Sequence, residues 1–181
     1  MEIIEGNVRL RPLRYADREI LGGLANNIKI WNNLRDMFPH PYTLDDAEKF
    51  IDMVKQQDPQ LTFAIEFEHK LVGVIGMVLQ PDVYRKGAEI GYWIGEAFWK
   101  KGIASTAIRL TSDYAFETLK LERLFAGVFE GNEGSKRVLE KCGYTLEGIS
   151  RKAVYKNNKL MDEYRFAKLR SEHQKDKFHA G

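Results

Sequence analysis

The sequence is poor in cysteine and has no long apolar run. Its single cysteine, Cys142, has no partner for an internal disulfide, and its place between Lys141 and Gly143 suits a small buried side chain better than a catalytic thiol. No stretch approaches the roughly eighteen apolar residues of a membrane span. The first ten residues, MEIIEGNVRL, lack the basic and apolar regions of a secretory signal. We therefore predict a cytoplasmic protein.

Strong charge of either sign is also missing. The formal net charge is +2 and the sequence pI is about 8.5, so the chain has no electrostatic footprint for nucleic acid or an anionic membrane. The spacing of His69, His173 and His179 suggests no metal site, and no zinc or calcium motif is present. With 181 residues, 44% hydrophobic and 30% charged, the chain fits one globular domain. We assign it to residues 1–170, followed by a polar tail over 171–181.

Hydrophobic periodicity predicts the elements of an α+β fold. A capping box at Thr43 and Asp46 opens a helix, and Asn132 caps another that ends at Gly143. The polar run of residues 156–159 is a plausible turn between the two last strands. The order β-α-α-β-β-β-α-β-α-β-β suggests one mixed sheet. Strands are predicted over residues 8–13, 61–67, 71–79, 89–94, 124–129, 144–149 and 161–169, and helices over 17–29, 43–54, 102–118 and 133–142.

The stretch from residue 88 to residue 107 joins a strand to a helix. Ile90, Tyr92 and Ile94 alternate with period two, whereas Ile103 and Ala107 begin a helical spacing. The first turn of a helix carries unpaired backbone N–H groups and the positive end of the macrodipole. This junction is therefore a natural site for an anion.

The composition of the junction favours a phosphate group. Gly102, Ala104 and Ser105 are small enough for a phosphate to approach the backbone, and Lys100 and Lys101 add positive charge. Glycine near a helix start is common, however, and paired lysines are more often simply solvated. The junction alone is weak support for a phosphate site.

Two motifs resemble the GNAT family of N-acetyltransferases. The run WKKGIA, residues 99–104, resembles its acetyl-CoA pyrophosphate loop, in which Gln or Arg is followed by x-x-Gly-x-Gly/Ala. Trp99 in the first position is similar to the RimJ/RimL branch of ribosomal-protein N-terminal acetylases, although Lys100 replaces a usual glycine. The second motif, Asn132 and Ser135 followed by EKCGY at residues 140–144, resembles N-x-x-S/A with E-K-x-G-F/Y.

The resemblance covers residues 8–169 and implies a mostly antiparallel mixed central sheet flanked by helices. It implies acetyl-CoA as cosubstrate, no metal, and direct transfer of acetyl to a primary amine in a ternary complex. A β-bulge in residues 89–94 would expose backbone groups near Trp93 and Ile94 to pantetheine, and one N–H would face the thioester oxygen. The residues expected to bind the cofactor are Trp93, Ile94, Lys101, Gly102, Ile103, Ala104, Ser105, Asn132 and Ser135.

The resemblance gives two candidate catalytic residues. Glu89 would accept the amine proton through a water molecule, and Ser135 would protonate the departing thiolate. Each has a structural alternative, since Glu89 could be a carboxylate bonded within the sheet and Ser135 an ordinary first-turn serine. The usual acid tyrosine of the family falls on Leu139, and a second glutamate of the ribosomal branch falls on Val154. These two losses favour an alternative function, a non-catalytic acyl-CoA-binding sensor or assembly module.

The acceptor amine is left open, as a protein N-terminal α-amine or a small-molecule amine. Trp31, Phe38 and Tyr84 could line its pocket, although aromatic residues are more often core packing, and His40 is more plausibly a surface residue than a base. The near-neutral charge disfavours a polyamine, but a local acidic patch of Asp45, Asp46 and Glu48 would favour one. A homodimer is plausible from the branch.

Overall fold

A computed structural model describes residues 2–179 of the chain, and the side chains of residues 2–175. Within this part it contains eight strands and six α-helices. The strands are β1 (Ile3–Glu5), β2 (Val8–Arg11), β3 (Thr62–Phe67), β4 (Lys70–Leu79), β5 (Gly87–Ile94), β6 (Arg123–Phe129), β7 (Thr145–Lys156) and β8 (Lys159–Leu169). The helices are α1 (Arg18–Ala25), α2 (Ile28–Trp31), α3 (Leu44–Lys55), α4 (Ile103–Asp113), α5 (Glu133–Lys141) and α6 (Arg170–His179).

The strands follow the order β1-β2-β3-β4-β5-β6-β8-β7. The pairs β1–β2, β2–β3, β3–β4, β6–β8 and β7–β8 are antiparallel, whereas β5 and β6 are parallel. The predicted mixed, mostly antiparallel sheet flanked by helices is therefore confirmed.

The chain divides into two compact units. The first comprises Met1–Gly76 and Tyr92–Leu110, and the second comprises Met77–Gly91 and Thr111–Gly181. The single domain over residues 1–170 stays a prediction. Within residues 2–179, no helix is both long and apolar enough to cross a membrane.

In the first unit, α1 and α3 bury their apolar faces against β3 and β4. The buried cluster contains Leu13, Leu21, Ala25, Tyr42, Ala47, Ile51, Val54, Ala64, Leu71 and Val74. The predicted capping box of α3 is present, with the Thr43 hydroxyl accepting from the Asp46 N–H and the Asp46 carboxylate accepting from the Thr43 N–H. The predicted helix over residues 17–29 is interrupted at residues 26 and 27: α1 ends at Ala25, and the Asn27 side chain caps a separate short helix, α2.

In the second unit, β7 and β8 form a hairpin that is longer than predicted. Its turn falls at Asn157 and Asn158, whose φ angles are 52° and 57°, within the run predicted as a turn. Asparagine tolerates this left-handed region better than most residues do. The strands extend beyond the predicted segments because β7 is exposed almost throughout and lacks a clear alternation of apolar residues.

The predicted helix of residues 102–118 is α4 followed by a π-helical turn, Tyr114–Thr118, in which the Leu119 N–H donates to the Tyr114 carbonyl. The predicted polar tail is helical up to His179, since it forms most of α6, which begins at Arg170. The buried side chain of His173 packs this helix onto the second unit. Residues 180 and 181 of that predicted tail lie outside the described residues.

Candidate coenzyme and catalytic site

Strand β5 continues beyond its parallel ladder with β6. The described register runs from Gly87 opposite Arg123 to Glu89 opposite Phe125, while β5 itself reaches Ile94. Backbone groups beyond such a ladder are available for another extended chain or ligand. The bulge expected within β5 stays a prediction.

The end of β5 lies very close to β4 in the first unit. A Cβ built on Gly73 would approach the Trp93 carbonyl oxygen to 2.2 Å, so only glycine fits there, and the Gly95 N–H donates to the Val72 carbonyl at 2.8 Å. Because backbone groups alternate sides along a strand, those of Ile94 face the opposite edge. Of the two residues expected to pair with pantetheine, Ile94 therefore presents its groups away from β4, whereas the Trp93 carbonyl faces β4.

The Ile94 carbonyl already has one partner. The indole Nε1–H of Trp99 donates to this oxygen at 2.6 Å, which folds the loop after β5 back onto the strand. The pyrophosphate motif had drawn attention to Trp99 only as a departure from the family pattern. The hydrogen bond from Trp99 to the Ile94 carbonyl could not be predicted, because no sequence pattern indicates a side-chain donor five residues after the end of a strand.

The loop before α4 adopts a left-handed conformation at two positions. Lys100 has a φ of 62° and Gly102 has a φ of 77°. Gly102 directly precedes α4 and has no side chain with which to cap it, and a Cβ placed there would meet nothing within 4 Å. The N-terminus of α4 therefore combines open space with first-turn donors, which is the physical requirement of an anion site.

The other residues of the predicted loop site differ in exposure. Lys101 is exposed, with its Nζ 5.4 Å from the centroid of the Phe98 ring. Ala104 is half-buried, whereas Ile103 and Ser105 are buried. Ile103 thus anchors the helix, and the accessible positive charge comes from the lysines.

The N-terminus of α5 carries its own cap in the second unit. The Asn132 Oδ1 accepts from the Ser135 N–H at 3.2 Å, as the sequence predicted. This cap leaves the amide nitrogen of Asn132 as the group that could donate to a coenzyme. Both side chains are half-buried, and so is Glu89, which lies on β5 in the same unit.

The three aromatic residues predicted for an acceptor pocket differ in their surroundings. The Phe38 ring lies 4.8 Å from Tyr42 and 5.9 Å from Trp93, centroid to centroid, and packs against the buried cluster. Trp31 contacts His40 at 5.6 Å. Tyr84, 71% exposed, lies in the second unit. Phe38 is thus both core packing and a neighbour of the candidate coenzyme strand.

The predicted acidic patch is occupied by internal partners. Asp45 pairs with Lys49 at 2.5 Å, and Glu48 pairs with Arg18 at 2.6 Å. Asp46 accepts from the hydroxyl and N–H of Thr43, which lowers the pKa of its carboxyl, while burial raises the pKa of the neighbouring Tyr42 to about 12. Asp45 and Glu48 are therefore each paired with a cation before any ligand arrives, whereas Asp46 keeps its charge and uses its oxygens to cap α3.

An open strand edge, a left-handed loop and a helix start with glycine as its cap define a protein that binds an extended anionic coenzyme. The family model described as an acetyltransferase (GNAT) domain matches residues 7–145, and the chain belongs to this family.

Relatives and solved structures agree with this assignment. The chain is 34% identical over 160 residues to the "Probable N-acetyltransferase YjcK" of Bacillus subtilis, covering 81% of this chain and 85% of the relative. It is 29% identical over 148 residues to the spermidine N(1)-acetyltransferase of Escherichia coli (strain K12), covering 78% and 75% respectively.

Three solved structures share the fold. A GNAT-family acetyltransferase from Bacillus anthracis has a TM-score of 0.82 at 26% identity, covering 94% of this chain and 99% of its own. The microcin C7 self-immunity acetyltransferase MccE, in complex with acetyl-CoA and AMP, has a TM-score of 0.79 at 25% identity, covering 91% and 93%. RimL, the ribosomal L7/L12 α-N-protein acetyltransferase, has a TM-score of 0.82 at 22% identity, covering 92% and 96%, and shows the fold alone.

Proposed function

We propose that this acetyltransferase moves the acetyl group of acetyl-CoA directly to a primary amine, with both substrates bound together. The observation that carries the proposal is the N-terminus of α4, where Gly102 leaves open space and Lys101 adds positive charge. MccE, which has the same fold, was solved in complex with acetyl-CoA, and this supports acetyl-CoA as the cosubstrate of the present chain.

The coenzyme uses three groups of donors in this proposal. The N–H groups of residues 103–105, together with Lys101, bind the pyrophosphate. The backbone of Ile94 pairs with the pantetheine arm along the open edge of β5. The amide nitrogen of Asn132 donates to the same arm. Binding at several points fixes the thioester carbon beside the amine, and such positioning can supply several kcal/mol.

The transfer needs one proton acceptor and one proton donor. Glu89 takes a proton from the protonated acceptor through a water molecule, so that the amine nitrogen is neutral when it attacks the thioester carbonyl carbon. A backbone N–H near Ile94 stabilises the oxyanion of the tetrahedral intermediate. When this collapses, the C–S bond breaks and Ser135 donates a proton to the leaving thiolate. The second proton of the amine passes through water to Ser135 and restores its hydroxyl group, and Glu89 then releases its proton to solvent.

The acceptor we favour is a protein N-terminal α-amine rather than a polyamine. A polyamine needs several available carboxylates, and Asp45, Asp46 and Glu48 each already have a partner in the first unit. A single amine followed by an apolar residue suits the side of Phe38 that faces Trp93. The E. coli relative named for spermidine makes the polyamine the alternative to test.

The release of CoA thiol, measured with N-terminal peptides, spermidine, free amino acids and aminoglycosides, tests the acceptor class. We expect the highest kcat/KM with peptides whose first residue is uncharged. A higher kcat/KM with spermidine than with every peptide would contradict the acceptor assignment, and the donor assignment would still hold.

The Glu89→Gln variant tests the proton acceptor. We expect kcat to fall by about 10² to 10⁴, with acetyl-CoA affinity unchanged. Glu19→Gln, an exposed change on α1, is the matched control and keeps full activity. An unchanged kcat in Glu89→Gln would remove Glu89 from the mechanism.

A homodimer and a cytoplasmic location, both expected from the sequence, are part of this proposal. Light scattering on the purified chain tests the first, and fractionation of cells tests the second.

A further inference from the structure

A cluster of one histidine and two carboxylates lies in the second unit, on residues that the transfer reaction does not use. Asp113 ends α4, Glu117 lies in the π-helical turn, and His173 lies on α6. Each offers one ligand atom, and these atoms all lie within 4.8 Å of one another. Asp113 and Glu117 are close in sequence, but His173 lies 60 residues beyond Asp113, so no motif spacing reveals the cluster.

The His173 side chain is buried, and only one of its two ring nitrogens has a hydrogen-bond partner among the described residues. Its side chain is 8% exposed, its Nε2 lies 2.8 Å from the Asp113 Oδ1, and its ring packs on Phe116 at 5.1 Å between centroids. Within the described residues, the buried Nδ1 has no hydrogen-bond partner. If Nε2 carries the proton, Nδ1 has an unused lone pair. If Nδ1 carries it, the Nε2 lone pair faces a carboxylate. In the second case a cation that is bound by both the Nε2 atom and the Asp113 carboxylate, to one side of the line that joins them, would remove the repulsion between the two lone pairs.

The two carboxylates also favour a cation. Asp113 and Glu117 are four residues apart on one helical segment, a spacing at which like charges repel. A π-helical turn within an α-helix is uncommon and is often associated with functional sites. Asp113 is half-buried and Glu117 is exposed, so that a bound ion would keep contact with water.

We propose that Asp113, Glu117 and His173 bind a divalent first-row transition metal ion, for which Zn²⁺ is the representative. One imidazole nitrogen and two carboxylate oxygens suit such an ion, and water completes its coordination. Calcium and magnesium are disfavoured because they prefer oxygen ligands. The ion ties α6 to the end of α4. It is a structural site and takes no part in the acetyl transfer proposed above.

Calorimetric titration of Zn²⁺ into the full chain, freed of any affinity tag and stripped with a chelator, tests the proposal. We expect one equivalent to bind, and the thermal unfolding midpoint to rise. Loss of one ligand in Asp113→Asn or Glu117→Gln should weaken the affinity at least about tenfold, since loss of a mere outer-shell partner costs ten- to a hundredfold. Glu117 is exposed, so its variant keeps the fold even if a change at His173 does not.

His69→Asn is the matched control, because it removes an exposed histidine in the β3–β4 turn and asparagine tolerates its φ of 64°. It should bind Zn²⁺ like the parent chain. Equal affinity in the parent, Asp113→Asn and Glu117→Gln would overturn the site, as would no binding to the parent. Displacement of Zn²⁺ by millimolar Mg²⁺ or Ca²⁺ would overturn the class of metal.

Discussion

The N-termini of α4 and α5 contrast in how their first-turn donors are satisfied. Helix α5 is capped by its own sequence, because the Asn132 side chain accepts from the Ser135 N–H. Helix α4 follows Gly102, which offers no side chain at all and leaves open space around it. At a helix start that a side chain of the protein already caps, the cap stabilises the helix. At α5 this leaves the Ser135 hydroxyl as the group available for catalysis. A helix start with glycine as its cap is suited to an external anion.

The contrast predicts separate kinetic effects. Changes at α4 should mainly alter the affinity for acetyl-CoA, whereas changes at α5 should mainly alter turnover or stability, with a smaller effect on affinity where the Asn132 amide is lost. The predictions below test this separation.

Among the changes at the helix starts, the largest effect is expected at Ser135. Ser135→Ala keeps the backbone N–H that Asn132 caps, so the stability of α5 is unchanged while the proposed proton donor is lost. We expect kcat to fall about a hundredfold, with the dissociation constant of acetyl-CoA unchanged. Steady-state kinetics and calorimetry measure the two quantities. A lower affinity with normal kcat would mean that both helix ends serve binding.

A negative charge at Gly102 should have the next largest effect. Gly102→Asp supplies a competing cap and repels the pyrophosphate, and we expect about tenfold weaker binding of acetyl-CoA, a difference of about 1.4 kcal/mol. Gly102→Asn is the control, since asparagine carries no charge and has a similar cost at a φ of 77°. Equal affinity of the two variants would show that no anion binds there.

Removal of the cap of α5 should mainly reduce stability. Asn132→Ala loses the acceptor for the Ser135 N–H, and we expect the free energy of unfolding to fall by about 1 kcal/mol. Asn132→Asp keeps a capping oxygen and should retain that stability. Urea unfolding of both variants checks the prediction, and equal stability of all three chains would contradict it.

The smallest effect is expected at α3, a second self-capped helix. Thr43→Ala should cost about 0.5 to 1 kcal/mol at neutral pH. The Thr43 bonds lower the pKa of Asp46 below its usual 3.8, so their stabilisation is present above that value and is lost as the pH falls through the folded-state pKa. Urea unfolding from pH 6 into the acid range should therefore show the two chains converging. Thr43→Ser, which keeps the hydroxyl, should follow the parent.

Local features of the fold were predictable from sequence because neighbouring residues determine them. The capping box at Thr43, the cap at Asn132 and the turn at Asn157 all depend on side chains within four residues of the backbone that they serve. Strand β1 escaped prediction because three residues carry too little periodicity, and the outer part of β7 because it buries almost nothing.

The candidate site was predictable only in part, for the same reason. The family motifs led directly to Gly102, Asn132 and Ser135. The contact from Trp99 to Ile94 and the pair of His173 with Asp113 depend on how the chain folds back, the latter across 60 residues. Their roles follow from three-dimensional neighbours that a single sequence does not reveal.

The indole of Trp99 has an optical consequence. All three tryptophans of the chain, Trp31, Trp93 and Trp99, belong to the first unit, and the second has none. Intrinsic tryptophan emission is thus a signal from one half of the molecule. A ligand that reaches the Ile94 carbonyl must perturb the indole bonded to it, so coenzyme binding can be followed in the unlabelled protein by a shift of its emission spectrum.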